Sequence, residues 1–88
     1  MYNKKYILEN IEEFNGHNYI YDDILRHICY PAYFNVGERG WFLWIEDGRF
    51  DEFAHRIHTS TVKKIEYFDD AIIVETLNTK FTFRLVSK

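Results

Sequence analysis

The segment Lys80-Phe81-Thr82-Phe83-Arg84-Leu85-Val86 alternates apolar and polar residues for five consecutive positions from Phe81. Successive side chains of an extended chain point to opposite faces, so Phe81, Phe83 and Leu85 share one face and Lys80, Thr82 and Arg84 the other. A strand with one apolar face has to lay that face on other elements, and the residues upstream supply them. Ala71 to Leu77 is rich in β-branched residues (Ile72, Ile73, Val74, Thr76) and reaches the last strand through a short Asn78-Thr79 turn. Lys64 to Phe68 predicts a further strand, broken at Asp69-Asp70, and Arg56 to Val62 another. Trp41 to Glu46 is an apolar run that meets Asp47-Gly48, a dipeptide suited to a tight hairpin turn, with Arg49 to Phe53 as the return strand. Short strands joined by tight turns predict an antiparallel meander, which must curl or be capped to cover its apolar face and its edges.

The first third of the chain has a different periodicity. Ile7, Leu8, Ile11 and Phe14 recur at helical spacing, with Asn3 placed as an N-cap and Asn15-Gly16 as a stop, which predicts a short amphipathic helix from Lys4 to Phe14. Asn18 to Ile20 fits a brief strand, and Asp22 fits the cap of a second short helix through Leu25 and Ile28 that ends before Pro31. Pro31 to Gly40, with Pro, Asn and two Gly, predicts a loop. A chain of 88 residues holds one core, so residues 1–88 are expected to form a single domain. The expected class is α+β, mostly β: a small SH3-like or Sm-like barrel of about five strands with an N-terminal helix, or an open antiparallel sheet with the helix packed on one face.

Aromatic residues make up 19% of the chain, enough to fill a small core with a few large side chains. The formal charge of −3 is too small for electrostatics alone to choose a partner. Cys29, the single cysteine, has no internal partner for a disulfide, and Glu9, Glu12 and Glu13 interrupt any run of signal-peptide length. No stretch is apolar enough to span a membrane, and the lone cysteine makes a reducing cytoplasm the expected compartment.

Chemistry-bearing patterns are sparse. The chain has no phosphate-binding glycine loop, no dinucleotide fingerprint, no His-Glu-x-x-His helix and no closely spaced cysteines. His55 and His58 are three apart on an expected strand, which sends their side chains to opposite faces, and His27 and Cys29 supply at most two ligands. Cys29, between Ile28 and Tyr30, fits a small buried hydrophobe. The adjacent acids Glu12-Glu13, Asp22-Asp23, Glu46-Asp47, Asp51-Glu52 and Asp69-Asp70 fit solvated turns better than paired catalytic carboxylates. Neither catalytic residues nor a bound metal or cofactor is therefore expected.

The expected function is binding. Trp41, Trp44, Phe50 and Phe53, interleaved with Glu46, Asp47, Asp51 and Glu52, combine aromatic anchors with a charged rim, the composition of a protein-binding surface. Arg39, Arg49, Arg56, Lys63, Lys64, Lys80 and Arg84 among the aromatics carry the alternative, a small nucleic-acid-binding β-barrel, which the acidic balance disfavours.

The runs Val36-Gly37-Glu38-Arg39-Gly40-Trp41-Phe42-Leu43, His55-Arg56-Ile57-His58-Thr59-Ser60-Thr61-Val62 and Val74-Glu75-Thr76-Leu77-Asn78-Thr79-Lys80-Phe81-Thr82-Phe83 resemble short phage- and prophage-borne proteins of Gram-positive bacteria. The resemblance covers Val36 to Phe83 and transfers no catalytic residue. It implies a partner among host proteins or protein complexes, and an inhibitory role such as that of the anti-CRISPR proteins that bind a nuclease complex.

Overall fold

Phe81 and Phe83 are fully buried inside a closed six-stranded antiparallel barrel, with Leu85 packed against the same cluster, as the alternation predicts. The computed structural model describes residues 4–45 and 54–87. In chain order the elements are β1 (Lys5–Glu13), α1 (Ile20–Ile24), β2 (Ile28–Tyr33), β3 (Arg39–Ile45), β4 (Ala54–Tyr67), β5 (Ala71–Thr76) and β6 (Thr79–Ser87). Each strand pairs with the next in sequence, and β1 closes the barrel on β6. The closed barrel is thus the architecture adopted, in place of the open sheet.

The expected N-terminal helix from Lys4 to Phe14 is instead strand β1. Tyr6 and Leu8 point inward, opposite Leu85 and Phe83, and a register shift between Leu8 and Asn10 then turns Ile11 inward as well, opposite Phe81. A β-bulge adds one residue and resets which face the next side chain takes, so inward residues fall three apart and imitate helical spacing. The same device joins two expected strands, Arg56 to Val62 and Lys64 to Phe68, into the single fourteen-residue β4. A shift between Val62 and Lys64 bends β4 as it passes from its β3 partner to its β5 partner.

The expected strand at Asn18 to Ile20 is the entry to α1, where the Asn18 side chain accepts a hydrogen bond from the Ile20 N–H at 3.2 Å. A short polar side chain folding onto the backbone two residues ahead favours a turn over a strand. The expected helix through Ile28 stops at Ile24, because Arg26 takes a left-handed φ of 71° and its N–H donates to the Leu8 carbonyl at 2.7 Å. The chain is thereby returned to the β1 edge, and β2 runs through Pro31 where a helix end and a loop are expected. β1 pairs with β2 only at Tyr6–Cys29 and Ile7–Ile28, so Pro31 lies where that side of the strand has no ladder to supply with an N–H.

Inside the barrel Phe42, Phe81 and Phe83 meet at centroid separations of 5.2–6.1 Å, two of the three pairs edge-to-face. Helix α1 contributes Tyr21, edge-on to Phe81, and Ile24. The hydroxyls of Thr59 and Thr76 are buried, and each is hydrogen-bonded to backbone, Thr59 to Gly40 and Thr76 to Thr79. The turn at Asp69-Asp70 falls where expected, and the one expected at Asn78-Thr79 falls one residue earlier, at Leu77-Asn78, with Thr79 already in β6. The Asp47-Gly48 hairpin and its return strand, Arg49 to Phe53, lie outside the described residues.

Candidate binding face

Strand β3 sends Phe42 and Trp44 into the barrel, and alternation therefore turns Trp41 and Leu43 outward. Register places Tyr33 of β2 and His58 of β4 beside Trp41, and Arg56 of β4 beside Leu43. The Arg56 guanidinium lies over the Trp41 ring, its central carbon 4.2 Å from the ring centroid, which holds both side chains by a cation–π contact. Tyr33 is exposed and donates its hydroxyl to Glu38 at 2.9 Å, while exposed Arg39 donates from Nε to the Thr59 carbonyl at 3.1 Å. The outer surface of β2, β3 and the first half of β4 is therefore an aromatic and cationic face.

The strands of this face lack acids, although Glu38, one residue before β3, brings a carboxylate to Tyr33. Strands β2 and β3 and residues 54–60 of β4 contain no Asp or Glu. On the other side of the barrel three bases meet acids: Arg84 takes both carboxylate oxygens of Glu9 at 3.0 Å and one of Asp70 at 3.0 Å, Lys63 lies 3.7 Å from Glu75 and Lys64 3.9 Å from Glu66. Among the described residues no carboxylate pairs with Arg39 or Arg56.

Of the expected binding residues, Trp41 is on this face. Trp44 is not: it belongs to the core cluster, with His55 stacked on its ring at 4.7 Å and His27 edge-on at 5.4 Å, and its indole N–H has no hydrogen-bond partner among the described residues. Glu46, Asp47, Phe50, Asp51, Glu52 and Phe53 lie outside the described residues. Tyr33, absent from the expected set, is placed by its pairing with Trp41. The signal that would have found the face is the absence of acids from three consecutive strand segments in a chain that carries fourteen.

No family model, curated protein or solved structure matches the chain.

The other reactive groups have local roles. Burial pushes the Cys29 thiol up to about 12, so it is held protonated at neutral pH, and it donates weakly to the His27 carbonyl. Among the described residues no cluster of three or more His, Cys, Asp or Glu side chains is arranged to hold a metal ion, and no helix is long and apolar enough to cross a membrane. His17 makes a bridge that its spacing did not suggest. Its Nδ1 lies 2.6 Å from Glu13 and its Nε2 2.9 Å from Asp22, tying the end of β1 to α1.

Only the imidazolium donates from both ring nitrogens, so two ionised carboxylates favour the protonated ring. The hydrogen bond to Asp22, followed by that to Glu13, accordingly raises the His17 pKa above 6.5. A pKa raised on folding contributes stability that is fully present below the unfolded value and is lost as pH rises through the folded one. The stability advantage of the wild type over His17→Gln is therefore expected to be largest below pH 6.5 and to fall as pH rises through the raised value. Thermal melts of both proteins across that range check this, and a difference independent of pH would contradict it.

Proposed function

We propose that the protein is a non-catalytic binding module that occupies a macromolecular partner through the outer face of β2, β3 and β4. The observation that carries this reading is Trp41 on the barrel's outside, held under Arg56 and beside exposed Tyr33. Trp, Tyr and Arg are the residue types that dominate interface energetics, and a pre-positioned pair loses less side-chain freedom on binding. The partner in this reading is a protein or protein complex of a bacterial host, met in its cytoplasm. The resemblance to phage-borne proteins makes inhibition of host machinery, such as a nuclease complex, the consequence.

A second reading, a small nucleic-acid-binding barrel, is favoured by one observation: Arg39 and Arg56 pair with no described carboxylate. Two guanidinium groups are few for a polyanion whose affinity comes from many phosphate contacts, and the net charge of −3 opposes it.

Capture from host lysate, with the bound species identified and reconstituted from purified components, tests both. Trp41→Ala is expected to leave the thermal midpoint close to wild type and to weaken the reconstituted complex by about tenfold or more. Undiminished binding by that variant would remove this face from the function. Loss of the captured species on nuclease treatment would select the second reading.

A further inference from the structure

Two guanidinium groups of the face that no described carboxylate meets say what a partner has to bring. Arg84, Lys63 and Lys64 each meet a carboxylate of this chain, whereas Arg39 and Arg56, like Arg26 and Lys80 elsewhere, meet none among the described residues. Arg56 is already positioned, since its guanidinium carbon lies 4.2 Å over the Trp41 ring centroid, and a cation–π contact leaves guanidinium N–H donors for an acceptor. Beside it lie an indole face and the exposed Tyr33 ring. An anion with an apolar group close by satisfies both features together.

Resting on the binding-module reading, we infer that this face recognises an acidic segment of a protein partner, with a carboxylate on Arg56 and Arg39 and a neighbouring apolar or aromatic side chain against Trp41. A carboxylate-bearing peptide is favoured over nucleic acid by charge. The formal charge of −3 opposes a polyanion, and the two guanidinium groups of Arg39 and Arg56 are few against the many phosphates it would bring. A short peptide, by contrast, concentrates its one or two carboxylates at the two arginines.

Nuclear magnetic resonance titration of the whole isotope-labelled chain tests this, because its two tryptophans report on opposite sides of β3, Trp41 outside and Trp44 in the core. The probes are a short blocked peptide of Asp, Glu and one Phe, its Asn/Gln counterpart, and a short oligothymidylate. The acidic peptide is expected to shift the Trp41 indole signal while the Trp44 signal moves less, and its neutral counterpart is expected to shift neither. Arg56→Gln should weaken the peptide by roughly tenfold, the loss expected for a charge-assisted hydrogen bond, while Arg56→Lys falls between and Lys64→Gln, on the other side, has no effect.

Absence of a Trp41 shift with the acidic peptide, or an equal shift with its neutral counterpart, would overturn the inference. Oligothymidylate moving Trp41 where the peptide does not would overturn it in favour of nucleic acid. Failure of this inference is distinguishable from failure of the binding-module reading. A captured partner that is indifferent to Trp41→Ala sinks the face itself, whereas one that needs Trp41 but is indifferent to Arg56→Gln sinks only the acidic preference.

Discussion

Phe83→Ala is expected to lower the unfolding free energy by about 3–5 kcal/mol, the usual cost of truncating a fully buried Phe and leaving a cavity. Phe83 is 0% exposed, stands between Leu8 of β1 and Ile72 of β5 in register, and meets the rings of Phe34 and Phe42 at 5.9 and 5.2 Å. Few neighbours can move into the space it leaves, because Leu8, Phe42 and Ile72 are each held by a strand. A domain of this size has a total stability of roughly 4–13 kcal/mol at the usual per-residue value, so the variant loses about a quarter of its stability or more. Chemical denaturation of Phe83→Ala beside Thr82→Ala measures the contrast. Thr82, one position away on the outer face, is expected to cost about 1 kcal/mol or less. Equal midpoints for the two variants would mean that the assignment of faces in β6 is inverted.

That assignment was legible because β6 has one apolar and one polar face, and period two is then written directly into the residue types. Where both faces are apolar the parity is hidden. Trp41-Phe42-Leu43-Trp44-Ile45 is apolar throughout, so nothing in it separates Trp41, which points outward, from Trp44, which points into the core. Bulges defeat the period in another way. Between Leu8 and Ile11, and again between Val62 and Ile65, one extra residue places two inward side chains three apart, a helix-like spacing produced by an irregular strand. The candidate face was only half legible for a related reason. Arg56 and Trp41 lie fifteen positions apart in the chain and meet through the antiparallel register of β3 and β4, which is set by tertiary pairing and is not carried by either segment alone. His17 likewise finds Asp22 through α1, a helix shorter than the one the spacing implied.

Gly40, which faces an extra residue of β4 where the register shifts between Arg39 and Trp41, gives the second large effect. Gly40→Ala is expected to destabilise the protein by about 1–3 kcal/mol, with Gly40→Val at the upper end of that range or beyond it. A Cβ at this position would press on the Phe34 ring, with its Cε1 at 2.8 Å, and would lie 2.8 Å from the Tyr33 carbonyl oxygen. Neither gives way easily: the ring packs against Phe42 and Phe83, and the carbonyl is backbone. Gly40 itself cannot retreat without cost, because its N–H donates to the buried Thr59 hydroxyl at 3.1 Å. A double-mutant cycle identifies the cause. Part of the cost arises from the ring, so in a Phe34→Ala background Gly40→Ala should cost about 1 kcal/mol less than in the wild type. Gly37→Ala provides the contrast, since nothing lies within 4 Å of a Cβ there and its cost comes from a φ of +92°. That backbone penalty does not involve Phe34, so removing the ring should leave it unchanged. If Phe34→Ala relieves neither substitution, the glycine at position 40 is required by backbone geometry and the close approach of the Phe34 ring is incidental.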